Sequence, residues 1–306
     1  MFFSPPIVIE SKVFSSLSKV TPWAKNNQAW RDGQPIGTPY VSLLEGPTFD
    51  SCGNLYCVDL PNGRIVRFAG NGTVEEIIQY DGWPNGMKHH KDGRIFIADY
   101  KHGIMALDPE SHTISPILER YGTERFKAVN DLFFSSTGEL YFTDQGLTGH
   151  QDPSGRLFRL RTNGILECLM DNIPSPNGLV MNLDESALYL AVTRANAVWR
   201  VPFRNDGSIA KVGTFVQLSG GAGPDGLALD IEGRLAIAHA GMGCVWLVDQ
   251  YGEPIYRINT SVGKHTTNVA YGGYDRKTLY ITESASASVL TANLDVPGKQ
   301  MYGDPN

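Results

Sequence analysis

The sequence of 306 residues predicts an all-β protein, a six-bladed β-propeller closed by an N-terminal strand that completes the last blade. The first observation is a short motif, a carboxylate or an Asn that opens an apolar run. It recurs six times at intervals of 40 to 48 residues, a period typical of repeat architectures such as propellers. The six motifs begin at Glu45, Asn85, Asn130, Asn177, Asp225 and Asn268.

The second observation is the punctuation inside each repeat. Strand-sized apolar runs alternate with Gly, Asn and Pro, which indicates short strands joined by tight turns. Repeat three differs from the others because an insertion at 145–155 follows its second strand. Repeat one shows a full set of four strands, at 45–50, 55–59, 64–68 and 74–78.

The third observation concerns the two ends of the chain. Repeat six has no good fourth strand after Leu294, whereas an apolar run at 7–14 precedes the first repeat. An N-terminal strand that completes the last blade would close the ring and cover exposed sheet edges. We therefore expect one domain over 1–306, with the closing strand at 7–14, an irregular segment at 15–40 and the blades at 41–295.

Composition restricts the kinds of partner that we expect the protein to bind. The net charge is −6, so the basic surface that nucleic-acid binding needs is not expected. The apolar runs have the length of strands and are too short to span a bilayer. The N-terminus lacks the pattern of a signal peptide, and the four cysteines form no Cys-x-x-Cys pair. We expect a cytoplasmic protein with no membrane or nucleic-acid partner, a monomer or a weak homo-oligomer.

The six leading residues of the motifs predict a metal site. The first strand of each propeller blade lines the central channel, so residues at one phase of the repeat meet around its axis. The set has two carboxylates and four carboxamides, which suits a hard divalent cation. Ca²⁺ is the first choice, with Mn²⁺, Mg²⁺ and Zn²⁺ as alternatives, although Zn²⁺ would prefer nitrogen or sulfur. The alternative is that Asn-Gly and Asp-Gly only mark turns, which explains one copy better than six in phase.

A second set of candidates lies at the same face, where the second strand of each blade ends. His239 could reach a ligand on the metal, although a lone His at a strand end is more often structural. Strand-end capping is the alternative for carboxylates such as Asp59 and Asp99. The candidate substrate contacts are Asn85, Tyr100, His102, Lys127, Asp144 and Asn268.

Four motifs together resemble the senescence-marker-protein/gluconolactonase family, and more distantly the paraoxonases, over about 40–295. They are Glu45-Gly46-Pro47, Asn130-Asp131, Pro176-Asn177-Gly178 and Pro224-Asp225-Gly226-Leu227. The resemblance implies a six-bladed propeller that opens lactones, often sugar lactones, at a divalent metal in the channel. It implies Glu45, Asn130, Asn177 and Asp225 as metal ligands. Sugar-lactonase relatives often carry an Arg where this chain has Ala128, a departure that concerns the substrate and not the metal.

These observations favour metal-dependent hydrolysis of a sugar lactone or another small cyclic ester. The cation would polarise the carbonyl group, and Asp225 would act as general base, with His239 or a water on the cation as alternatives. Two other functions remain open. One is a non-hydrolytic step such as a cyclase, isomerase or lyase reaction, because related propellers support such chemistry. The other is a non-catalytic binding scaffold with a structural metal.

Overall fold

A computed structural model describes residues 4–17, 28–34 and 42–304 of the chain. Six antiparallel sheets follow one another along the chain. The innermost strand of each sheet contacts the innermost strand of the next, and the sixth contacts the first, so the sheets form a closed ring. This arrangement confirms the predicted six-bladed propeller.

The strands fall where the apolar runs predict them. Before the first blade lie β1 (Ile7–Glu10), β2 (Lys12–Ser16) and the short helix α1 (Gln28–Asp32), in which Trp30 is buried. Blade one contains β3 (Leu44–Phe49), β4 (Leu55–Asp59), β5 (Arg64–Phe68) and β6 (Val74–Gln79). Blade two contains β7 (Pro84–His89), β8 (Ile95–Asp99), β9 (Gly103–Asp108) and β10 (Thr113–Leu118). A small hairpin, β11 (Arg120–Tyr121) and β12 (Glu124–Arg125), follows blade two.

The remaining blades repeat this order. Blade three contains β13 (Val129–Phe134), β14 (Leu140–Asp144), β15 (Gly155–Leu160) and β16 (Leu166–Ile173). Blade four contains β17 (Pro176–Met181), β18 (Ala187–Val192), β19 (Ala197–Pro202) and β20 (Gly213–Gln217). Blade five contains β21 (Gly223–Leu229), β22 (Leu235–Ala240), β23 (Cys244–Val248) and β24 (Pro254–Asn259). Blade six contains β25 (Thr266–Gly272), β26 (Thr278–Glu283) and β27 (Ser288–Asn293). Single 3₁₀ turns follow β4 at Leu60–Asn62 and β18 at Thr193–Ala195.

The N-terminal strands close the ring in a way that differs in detail from the prediction. Strand β2 pairs antiparallel with β27 and is the fourth strand of blade six. Strand β1 instead pairs parallel with β24 as a fifth, outermost strand of blade five. The predicted run 7–14 therefore divides at Ser11, whose backbone N–H still donates to the carbonyl oxygen of Asn259. Of the predicted irregular segment, 18–27 and 35–40 lie outside the described residues.

The C-terminal tail, 294–304, crosses one end of the channel, which we call the lower end. Lys299 donates its backbone N–H to the carbonyl oxygen of Leu229, and the ring of Tyr302 packs on Phe134 and His90. Between this tail and the inner strands lies a cavity that residues of both line. The leading residues of the six motifs lie towards the opposite, upper end. None of the helices in the described ranges is long and apolar enough to cross a membrane.

Candidate active site

A β-bulge at the motif of every inner strand positions the candidate site. In blade one, Glu45 lies opposite Val58, but Thr48 lies opposite Tyr56, so the inner strand has one extra residue. The other five inner strands show the same shift at the same phase. A bulge re-aims side chains that a regular strand would point at neighbouring blades. The sequence motif therefore recurs because the same bulge recurs in every blade.

The bulges require small residues and extra hydrogen-bond partners. A Cβ on Gly226 would lie 1.9 Å from Oδ1 of Asn268, and a Cβ on Gly178 would lie 2.4 Å from the carbonyl oxygen of Asp225. These glycines lie inside strands, so the alternative that they only mark turns is wrong. Threonines of the second strands accept hydrogen bonds from bulged backbone N–H groups, Thr143 from Asp131 (3.1 Å) and Thr282 from Asn268 (2.9 Å).

Glu45 is a buried carboxylate among the leading residues of the six motifs. Its Oε2 accepts hydrogen bonds from the Gly46 backbone N–H (2.9 Å) and from Nδ2 of Asn268 (2.7 Å). Burial raises the pKa of Glu45 to about 7, the hydrogen bond from Asn268 opposes this effect, and the neighbouring Asp131 charge adds to it. The ionised form of Glu45 is therefore less stable here than it would be in water.

Asp225 and Asp131 add two further carboxylates. Burial first, and then the charges of Glu45 and Asp131, raise the pKa of Asp225 well above its usual value. Burial also raises the pKa of Asp131. Asp225 is partly exposed to solvent, whereas Glu45 and Asp131 are buried. Asp225 is therefore the least buried of the three residues.

Asp131 is the site residue that sequence reasoning missed, although a signal was present. The position after the leading residue is Gly in four of the six repeats, and in blade three it is Asp131. The bulge favours a small residue at this position, so a charged residue here is an exception. Such a departure in one repeat indicates a side chain with a local role.

A hydrogen-bond network fixes the Asn130 carboxamide. Its Nδ2 donates to the Tyr100 hydroxyl (2.9 Å) and to Oε1 of Gln145 (3.0 Å). Tyr100 donates to the same Gln145 oxygen (2.7 Å), and Gln145 donates to Ser175. Since the nitrogen of Asn130 is held by protein acceptors, its oxygen is directed away from them. Asn177 likewise donates Nδ2 to Thr193.

This donor chemistry fits a hard divalent cation. Burial raises the pKa of all three carboxylates, repulsion adds to this at Glu45 and Asp225, and two carboxamides keep their oxygens for another partner. Within the described ranges, no three or more His, Cys, Asp or Glu side chains form a ready-made metal cluster. The predicted ligand set, Glu45, Asn130, Asn177 and Asp225, depends on two carboxamides, and its metal role stays a prediction.

The strand-end candidates are engaged in local hydrogen bonds. Asp144 accepts from the Ala128 backbone N–H (2.9 Å) and forms a buried ion pair with Arg156. Asp59 forms a buried ion pair with Arg64. Asp99 accepts hydrogen bonds from the backbone N–H groups of Lys101 and His102. Such contacts fix the loops at the upper end of the channel.

His239 is buried, and both of its ring nitrogens have partners. Its Nδ1 lies 3.1 Å from Nε1 of Trp246, which can only donate, so the proton of the neutral ring is on Nε2, directed to the carbonyl oxygen of Gly220 at 3.0 Å. Burial lowers the pKa of His239. This environment favours a neutral, structural imidazole.

The other predicted substrate contacts divide into two groups. Asn85 and Asn268 are buried among the leading residues, and Asn85 hydrogen-bonds to Tyr100. His102 and Lys127 lie on the surrounding loops, where His102 bonds through Nε2 to the carbonyl oxygen of Asp81 and Lys127 donates to Ser154. Their contacts with a substrate stay predictions.

Sequence comparison identifies relatives of this chain. A family model described as the SMP-30/gluconolactonase/LRE-like region matches residues 43–285. A protein named lactonase drp35, from Staphylococcus aureus, is 32% identical over 229 residues, which cover 70% of this chain and 69% of that protein. The family model spans the inner-strand motifs of all six blades.

Solved structures share the fold. A calcium-binding protein, regucalcin, from Agrobacterium tumefaciens superimposes with a TM-score of 0.77 at 22% identity, covering 97% of this chain and 98% of that one. A virginiamycin B lyase from Staphylococcus aureus superimposes with a TM-score of 0.60 at 15% identity, covering 85% and 83%. At these identities the likeness concerns the fold alone.

Proposed function

The chain belongs to the SMP-30/gluconolactonase/LRE-like family, and from this membership we propose that it is a lactonase-type hydrolase that opens a small cyclic ester at a divalent cation, Ca²⁺ first. The observation that carries the proposal is the cluster at the upper end of the channel, where Glu45 and Asp225 meet Asn130 and Asn177 on bulged inner strands. The name of the lactonase relative and the calcium-binding regucalcin fold support it.

Glu45, Asn130, Asn177 and Asp225 would hold the cation. When bound, it supplies positive charge that stabilises an oxyanion and polarises an ester carbonyl group. Asn268 orients Glu45 by donating to its Oε2, which leaves Oε1 as the oxygen for the cation. Tyr100 and Gln145 orient Asn130 in the same way.

Asp225 is the proposed general base. The Asp225 residue is partly exposed, and the cation would keep its carboxylate ionised, so it could accept a proton from a water molecule. The water oxygen forms a bond to the lactone carbonyl carbon while its proton passes to the carboxylate. The ring C–O bond then breaks, and the proton goes to the leaving alkoxide oxygen. His239 is disfavoured as the base because both of its ring nitrogens are engaged.

The test is a panel of lactones assayed with and without chelation. We expect hydrolysis that chelation abolishes and Ca²⁺ restores, with a product heavier than the substrate by one water. Asp225→Asn should lower kcat/KM by about a hundredfold or more, because it removes the base and one ligand charge. Asp171→Asn, on an exposed segment of β16, is the matched control and should be unaffected.

Four outcomes would contradict the proposal. Full activity in the metal-free protein would exclude the cation, and full activity in Asp225→Asn would exclude that base. A product with the mass of the substrate would favour the non-hydrolytic alternative. Cation binding with no turnover of any lactone would favour the scaffold.

A further inference from the structure

The layer of the channel directly below the leading residues contains one charged side chain. The residue three positions after each leading residue lines the cavity in all six blades. These residues are Thr48, Lys88, Phe133, Val180, Ala228 and Tyr271. Lys88 is half-buried there, so its ammonium group loses part of its hydration, and a nearby negative charge would stabilise it. Lys88 therefore needs an electrostatic explanation.

Geometry puts Lys88 on the side of β7 that faces Asp131. Met87 packs against blade one, and Lys88 alternates with Met87 in the regular part of the strand beyond the bulge, so Lys88 faces blade three. A Cβ on Gly86 would lie 2.2 Å from Oδ1 of Asp131, so this side of β7 packs against that carboxylate. The Lys88 ammonium donates to the Met87 carbonyl oxygen at 3.1 Å, which satisfies only one of its three N–H groups. Its charge lowers the pKa of Asp131 and, more weakly, that of Glu45, against the effect of burial.

We propose that Lys88 is the built-in counter-ion of Asp131, and that it sets the charge of the channel so that one divalent cation neutralises it. This inference rests on the proposed cation site. Three carboxylates (Glu45, Asp131 and Asp225) and one ammonium leave two negative charges, which one divalent cation balances. Arg194 also acts on Asp225 but is exposed, so solvent and salt screen its charge.

The proposal has a counter-intuitive consequence for affinity. The Lys88 ammonium repels a cation bound above it, so its removal should tighten cation binding rather than weaken it. A lysine with a purely structural role would give the opposite sign or no change. Met has a similar length and no charge, and it suits the apolar layer, so Lys88→Met isolates the charge.

The experiment is calorimetric titration of Ca²⁺ into chelator-treated protein at pH 9, where protons compete least for the carboxylates. We expect wild type to bind one cation, and Lys88→Met to bind it about tenfold more tightly. Lys88→Arg keeps the charge and should retain the wild-type affinity. Lys211→Met, at an exposed position, is the surface control and should also match wild type.

The double variant Lys88→Met/Asp131→Asn tests the pairing. It restores the charge balance, so its affinity should return towards that of wild type, giving a coupling between the two positions. Thermal unfolding without metal is a second readout, in which Lys88→Met should melt below wild type and the double variant should recover much of the loss.

The outcomes separate this inference from the proposed function. Equal Ca²⁺ affinity in wild type and Lys88→Met, or additive effects of the two substitutions, would overturn the counter-ion role and leave the proposed function intact. A wild type that binds no divalent cation would overturn both. Tighter binding in Lys88→Met that Asp131→Asn reverses would support the inference.

Discussion

Tyr100 acts on the candidate site through another residue. Its hydroxyl accepts from Asn130 and donates to Gln145, so it fixes which atom of the Asn130 carboxamide is free. Burial raises the pKa of the hydroxyl, and the nearby charges of Asp225 and Glu45 add to this effect. It therefore stays protonated at neutral pH and serves as a positioning group, not as a base.

We predict that Tyr100→Phe weakens cation binding several-fold and lowers kcat/KM about tenfold, because Asn130 loses one of its two anchors. Calorimetric titration and steady-state kinetics would measure the two effects. Tyr121→Phe, in the exposed β11, is the matched control. Unchanged cation affinity in Tyr100→Phe would contradict the positioning role.

We predict that the metal-free protein loses stability as the pH rises. The folded-state pKa of Glu45, about 7, lies above its ordinary value of 4.5, mainly because of burial. The contribution of Glu45 is therefore fully present below about pH 4.5 and is lost as the pH rises through about 7. The raised pKa of Asp131 acts in the same direction.

Thermal unfolding of chelator-treated protein across that pH range checks this. The Tm should fall by several degrees, Ca²⁺ should suppress the fall, and Glu45→Gln should flatten it. A Tm that stays level in the metal-free wild type would contradict the prediction.

Residue identity explains why part of the site could be predicted. Glu45 and Asp225 stand out because a carboxylate recurs at a fixed phase. Asp131 does not share that phase, and the hydrogen bonds of His239 to Trp246 and Gly220 involve residues outside the motif. Such partners become neighbours only in the folded chain.

At the scale of the strand, the bulges determine the geometry of the site. We predict that Gly226→Ala lowers the free energy of unfolding by about 2–4 kcal/mol and weakens cation binding, because the new methyl group would overlap Asn268. Gly213→Ala is the matched control, since a Cβ there meets no neighbour within 4 Å. Denaturant unfolding and calorimetric titration would measure both effects. Wild-type stability in Gly226→Ala would contradict the predicted overlap with Asn268.

The sequence predicts the inner strands but not their bulges. Apolar runs and turn residues identify strands because they report burial and chain reversal. A bulge adds one residue to a short strand, and Gly at that position is equally typical of a turn. Only the pairing with the second strand, as in Glu45 with Val58 and Thr48 with Tyr56, distinguishes the two.

At the scale of the whole molecule, the two N-terminal strands have unequal importance. Deletion of residues 1–16 removes β2 and exposes the edge of β27, so we expect a large loss of Tm and aggregation. Deletion of residues 1–10 removes only β1, which leaves blade five with four strands like the other blades, so the loss should be small. Thermal unfolding and light scattering would check this. Equal losses in the two truncations would contradict the unequal roles.

Ring closure could be predicted from the sequence, whereas its division between two blades could not. The missing strand of the last repeat and the apolar run at 7–14 are visible in the sequence. The parallel pairing of β1 with β24 depends on the open edge of blade five and on the backbone of Ser11, which no local pattern reports.

The pairing of β2 with β27 has a consequence for synthesis of the chain. Lys12 pairs with Thr291, so β2, one of the first strands to leave the ribosome, must wait for β27, the last. Blades one to five can pair their own four strands as they emerge, because their contacts are local in sequence. Blade six closes only across nearly the whole chain, at the entropic cost of a very long loop. Closure is therefore expected as the late, slow event in folding, and until then the open edge of β27 is what a chaperone would have to protect.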